Sequence, residues 1–215
     1  MLLALTGFLA LATGTPGAQT AAAGPATAPS AASSELFGRM VELNAGLDSY
    51  TASVKVDVAL HSFPFLSPTL EGDLYHKRPD REAIVFRTYP VLASAFKKIY
   101  PQFEPASRWN ALFYVTQGPD TGTLTQFTLV PRKHGRIDHI DAFVDDQNAT
   151  VKRMVWHYND DSGTVSFSSE YTEVDGNYLI KAQTGKVDLD RYKADVDSTF
   201  SNFKVNVAIS DDVFK

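Results

Sequence analysis

Acid–base or metal chemistry near neutral pH falls most readily to histidine, and the chain has five: His61, His76, His134, His139 and His157. Their one grouping with acids is His134 ahead of Asp138-His139-Ile140-Asp141. A metal or proton-transfer site there needs Asp138 and His139 on a common face. Successive residues of a strand point to opposite sides, so these are read as surface or strand-edge histidines and no metal is expected. Asp145-Asp146 and Asn159-Asp160-Asp161 read as turn formers. A calcium site wants about six or more ordered oxygens, and neither turn supplies them alone. HExxH, GxSxG, P-loop and Rossmann glycine patterns are absent, and there is no cysteine. With no nucleophile constellation, the chain is expected not to be an enzyme and to need no cofactor.

The elements that must position these residues are mostly strands. The run from Thr123 to Tyr171 reads as consecutive antiparallel strands at 124–130, 136–144, 151–158 and 164–171. They are separated by Pro131-Arg-Lys-His-Gly135, Asp145-Asp-Gln-Asn148 and Asn159-Asp-Asp-Ser-Gly163. Upstream, Ser33-Ser34 can cap a helix over about 35–47, where Leu36, Met40, Leu43 and Leu47 share a stripe. Val54, Val56, Val58 and Leu60 alternate with polar residues, giving a half-buried strand. Strands at 70–77 and 82–87 follow around the Arg78-Pro79-Asp80 turn. Pro90 then opens a helix carrying Leu92, Ala95, Phe96 and Ile99, which Pro101 stops. A short helical turn over 105–110 precedes a strand at 111–117. After Tyr171, Asp175-Gly176-Asn177 signals a hairpin into a strand at 178–184. Residues 186–197 are polar and read as a loop, and 203–209 alternates as a final strand. The total is nine to ten strands with two or three helices, an α+β, mainly β, all-antiparallel architecture.

Composition divides the chain. No charged residue occurs before Glu35. Residues 1–23 combine a short apolar block with small residues, the pattern of a secretory signal. The block is shorter than the roughly 20 apolar residues that span a membrane. Residues 24–34, rich in Ala, Pro, Thr and Ser, cannot bury a core and read as a disordered leader. Residues 35–215 are one domain's worth of chain. Lipid attachment after a bacterial signal needs a cysteine, so a soluble exported protein is expected, not an anchored one. A formal charge of −5 with mixed signs gives no reason to expect nucleic acid.

Aromatic residues are frequent in the strands. A strongly curved sheet that helices cover incompletely would leave an apolar cavity on its concave side. The stretch Gly72-Asp-Leu-Tyr-His-Lys-Arg-Pro79 sharpens this reading. It is similar to the Gly-Asp-Leu-aromatic-x-Lys-Arg-Pro stretch of the periplasmic carriers that move lipoproteins to the bacterial outer membrane, the LolA family. Leu47-Asp-Ser-Tyr50, the alternating first strand, Leu129-Val-Pro-Arg132 and the Ile137-to-Asp146 strand fall in the matching order.

The resemblance implies an unclosed half-barrel wrapped around helices, with a cavity that accepts acyl chains. It implies a role for Arg78 in holding a lid helix, here 91–99, closed over the empty cavity. The expected lining is Val56, Val58, Leu60, Leu74, Ile84, Phe86, Leu92, Phe96, Ile99, Phe127 and Leu129. The expected protein is a monomeric periplasmic carrier of acylated lipoprotein or lipid, served by an inner-membrane donor and an outer-membrane acceptor. The alternative is a sensing or interaction module that binds a protein partner on the same fold.

Overall fold

A computed structural model of the chain describes residues 34–61, 67–79, 81–87, 103–120, 123–160, 162–190 and 192–214. The expected signal and nearly all of the leader, and the expected helix with Leu92, Phe96 and Ile99, lie outside these residues. Helix α1 (Glu35–Glu42) leads into β1 (Ser49–Leu60), β2 (Thr69–Lys77) and β3 (Arg81–Phe86). Helix α2 (Ala106–Leu112) precedes β4 (Phe113–Asp120), β5 (Leu124–Pro131), β6 (Ile137–Asp145), β7 (Val151–Tyr158), β8 (Gly163–Val174), β9 (Asn177–Leu189) and β10 (Tyr192–Val205). A 3-10 turn, Asp211–Phe214, follows.

All ten strands form one sheet in the order β3-β2-β1-β10-β9-β8-β7-β6-β5-β4. Every pairing is antiparallel. Strands β3 and β4 are the two edges, so the sheet is an unclosed half-barrel. Residues 87–112 join one edge to the other, and α2 belongs to that connection.

The strands alternate, and the register collects their apolar residues on one face. Leu74 stands opposite Ile84, and Gly72 lies between Val54 and Phe86. Val58 faces Val196, and Ala194 faces Val187. Trp156 lies between Ile140 and Val165, and Ala142 between Phe127 and Met154. Helix α1 adds Leu36, Phe37 and Met40 to this core, and α2 adds Trp109. Full burial of each of α1's three side chains stabilises by roughly 1.5–3 kcal/mol.

Two glycines permit close approach on that face. A Cβ on Gly72 would lie 2.9 Å from Phe86 Cα, because the β3 backbone lies over this position. A Cβ on Gly185 would collide with the Phe167 ring, which occupies the space that a side chain would need.

Several expectations shift. Ser34 Oγ accepts from Phe37 N at 3.1 Å, as the capping pattern requires. The helix nevertheless ends at Glu42 rather than near 47. Asn44 takes φ +60°, a left-handed conformation that Asn tolerates. Its side chain then bonds both the N–H and the C=O of Tyr178, at 2.8 and 2.9 Å. Leu47 stays buried, from a turn instead of a helix.

Ala111 and Leu112 finish α2, so β4 starts at Phe113. Residues 186–197 are not a loop but the β9–β10 hairpin. Val187, Ala194 and Val196 are buried there and Leu189 packs partly against the core, while Lys186, Asp188, Lys193, Asp195 and Asp197 point outward. With so few inward residues, a half-buried hairpin resembles a polar loop. At the other end of β10, pairing stops at Val205 although alternating burial runs on to Ile209. Asn206, at φ +52°, turns the chain, donates its N–H to Ser49 O at 2.7 Å, and accepts from Asp48 N on its side chain.

Strict alternation also fails at the start of β6. The β6–β7 register slips between Ile137 and His139. A bulge inserts a residue and re-aims the side chains beside it. Asp138 and His139 therefore meet, Oδ2 to Nδ1 at 2.7 Å, instead of occupying opposite faces.

Candidate functional site

The concave face has two wings. On the β4–β9 side the helices fill it. Phe37, Trp109 and Phe127 form an aromatic triangle with centroids 6.1–6.3 Å apart. Phe103, Trp156 and Phe167 form a second, with Phe103 edge-on to both partners at 5.1 and 5.5 Å. Trp109 Nε1 donates to Glu104 O at 2.8 Å, so the indole is buried with its polar atom satisfied. Phe127 and Leu129 are completely enclosed in this wing.

On the β1–β3 side, Val56, Val58 and Leu74 are buried, while Leu60, Ile84 and Phe86 are only half-buried. All eight of the expected lining residues that are described thus lie on the concave face, five of them buried. Leu92, Phe96 and Ile99 lie outside the described residues. The recesses bounded by described residues include two outside this wall. One is about 600 Å³ and lined by His134, Gly135, Asp138, Tyr158, Asn159 and Asp160. The other is about 300 Å³, beside the start of α1. Neither is bounded by the expected acyl-chain lining.

Polar side chains mark one end of the β1–β3 wing. Tyr50, His76 and Glu82 are in register across the three strands. The rings of Tyr50 and His76 stack at 5.0 Å, and Glu82 comes within 4.0 Å of His76. Burial raises the Tyr50 phenol, with Glu82 and Tyr171 adding to the effect. Burial also raises Tyr171, whose hydroxyl donates to Val151 O at 2.9 Å. Both phenols therefore stay protonated at neutral pH. The sequence reading did not single out this group. Its signal was present: period-two alternation carries Val54 back to Tyr50 and Leu74 forward to His76.

Within the apolar wall, Ser169, Gln183 and Ser198 form a buried polar row across β8, β9 and β10. Gln183 donates to Ser169 at 3.1 Å, and Ser198 Oγ finds no partner among the described residues.

Arg78 lies just beyond β2. Its N–H bonds Asp48 O and its guanidinium donates to Asn44 O, both at 2.9 Å. Its described side-chain bond thus goes to the turn after α1, with the 91–99 segment outside the described residues. On the convex face, His139, Asp141 and His157 bring one ligand atom each within 4.8 Å of one another.

No family model and no curated protein sequence matches the chain. Solved structures do match. A DUF1329 family protein from Desulfovibrio piger aligns with a TM-score of 0.67 at 13% identity, covering 88% of this chain and 98% of that one. A domain from Vibrio parahaemolyticus assigned to outer membrane lipoprotein sorting aligns at 0.63 and 10%, covering 83% and 93%. A LolA superfamily protein from Nitrosomonas europaea aligns at 0.60 and 9%, covering 84% and 96%. This chain is an open antiparallel half-barrel with its apolar face turned onto helices, and these structures superimpose on 83–88% of it, which means that it has a LolA-like fold.

Proposed function

We propose that this protein is an exported, periplasmic carrier that shelters the acyl chains of a lipoprotein or lipid for transfer towards the outer membrane. The observation that carries the reading is the asymmetry of the concave face. One wing is closed by two aromatic triangles, whereas the other leaves Leu60, Ile84 and Phe86 half-buried. The LolA-like fold, and the lipoprotein-sorting assignment of one structural neighbour, support the same reading.

Burial of an acyl chain yields about 0.8 kcal/mol per CH₂, so even partial entry of a chain gives several kcal/mol. Segment 91–99, with Leu92, Phe96 and Ile99, competes for the same apolar surface as the lid. Arg78 holds the closed state through backbone carbonyls, a task suited to a planar guanidinium with several donors. Donor and acceptor proteins at the inner and outer membranes complete the transfer.

The test is uptake of a fluorescent fatty-acid probe by the purified full chain, with mass spectrometry of any apolar ligand it carries. Ile84→Asp and Phe86→Asp place a carboxylate on the proposed surface and should reduce uptake at least tenfold in folded protein. No uptake by the unaltered chain, together with no co-purified lipid, overturns the proposal. Equal uptake by both variants moves the acyl site away from this wing.

A further inference from the structure

The convex face carries a second constellation, independent of the acyl-chain reading. His139 and Asp141 project outward from β6, and β7 places His157 opposite His139. Their rings stack 4.1 Å apart and nearly parallel. Asp141 Oδ2 lies 3.2 Å from His157 Nε2 and 3.7 Å from His139 Nε2. Zinc-type metal–nitrogen bonds of about 2.0–2.1 Å in a tetrahedral site set ligand atoms roughly 3.3–3.4 Å apart. The two carboxylate–imidazole separations bracket that spacing.

The groups behind these ligands are also in place. Asp141 Oδ1 accepts from Gln126 Nε2 and Thr128 Oγ1, each at 2.9 Å, so the carboxylate is fixed with Oδ2 turned towards both rings. Asp138 Oδ2 lies 2.7 Å from His139 Nδ1, placed to accept a hydrogen bond from it. A neutral ring that donates Nδ1–H to this carboxylate presents the Nε2 lone pair to a metal. A carboxylate behind a histidine in this way orients metal ligands and raises their basicity. The bulge before His139 is what makes the contact, so the backbone irregularity that broke the alternation argument also builds the support for this ring.

From this geometry we infer that His139, His157 and Asp141 form a binding site for a divalent transition-metal ion of borderline character, such as Zn²⁺ or Cu²⁺. Two imidazoles and one carboxylate suit such ions, whereas Mg²⁺ and Ca²⁺ prefer all-oxygen shells. Entry of the ion requires the stacked rings to swing so that their lone pairs converge. Coordination through His157 Nε2 requires the neutral tautomer that carries its proton on Nδ1. His139 and His157 are about one-third exposed, so the remaining coordination positions face solvent. The 600 Å³ recess, which Asp138 helps to line, lies next to them.

The experiment titrates the tag-free full chain with Cu²⁺ and Zn²⁺ by calorimetry, and records the Cu²⁺ spin-resonance spectrum. Expected are one ion per chain, splitting from two imidazole nitrogens, and at least 100-fold weaker binding in His139→Ala and in His157→Ala. Asp138→Asn should weaken binding about tenfold with unfolding unchanged, and His134→Ala should leave it unaltered. Circular dichroism establishes that each variant is folded. Absence of saturable 1:1 uptake of either ion, or full affinity in either of the folded His139 and His157 variants, overturns the inference. Loss of binding in His134→Ala alone overturns it too, by moving the metal to the recess.

Discussion

Trp109 tests whether the helices close one wing of the half-barrel. It is 1% exposed, lies 6.2 Å from Phe37 and 6.3 Å from Phe127 by ring centroids, and satisfies its indole N–H on Glu104 O. Trp109→Ala removes the largest side chain between α2 and the sheet. Truncation of a buried Trp costs about 3–5 kcal/mol, part transfer and part residual cavity. Each kcal/mol lowers the midpoint of a domain this size by about 2–4 °C, so the expected fall is about 6–20 °C. Trp109→Phe, which keeps a ring in place, should cost less. Urea denaturation and calorimetry give the two numbers independently. Because Trp109 lies on the closed wing, uptake of the fatty-acid probe per folded molecule should be unchanged. A loss below about 1 kcal/mol would mean that α2 does not seal this face. A folded Trp109→Ala protein that no longer takes up probe, beside an Ile84→Asp protein that does, would put the acyl site on the opposite wing.

Gly72→Ala places a methyl group against the backbone of Val85 and Phe86. Two strands must part, and overpacking of this kind costs about 1–3 kcal/mol; an unchanged urea midpoint would show that β2 and β3 have slack there. The C-terminal turn should release in acid. Hydrogen bonds from Lys77 first and Arg81 second hold the Asp211 carboxyl below its ordinary value of 3.8. A pKa depressed by folding gives stabilisation that is fully present above pH 3.8 and is lost as pH falls through the lower folded value. Amide exchange over 209–214 should therefore rise below pH 3.8, and Asp211→Asn should raise it at neutral pH. Exchange that stays flat across that window would rule out the carboxylate as the tether.

Local chemistry made much of the sheet legible. Asp145 Oδ1 accepts from Gln147 N and Asn148 N at 2.8 and 3.0 Å, an arrangement that depends only on residues adjacent in sequence. The turns at 159–163 and 175–176 use Asp160, Gly163, Asp175 and Gly176 at positive φ, for the same local reason. Alternation from Val54 to Leu60 put four residues on one face of the strand, and all four lie in or against the core. The β9–β10 hairpin escaped because its inward residues are few, and pairing with a distant strand decides its conformation. Strand β10 is held by β1, roughly 140 residues earlier in the chain, and no local pattern reports such a partner.

The candidate sites divide along the same line. By itself the sequence determined which residues are apolar, their period of two, the turns between strands and the Gly72–Pro79 stretch, because backbone preference and hydrophobic alternation act over a few residues. Only the tertiary structure decided that Phe127 is sealed while Phe86 is half-open, because burial depends on which helix covers which wing. It also decided that Asp138 supports His139 and that Asp141 faces two imidazoles, because a bulge and a cross-strand register fix those distances, and both arise from pairing between strands.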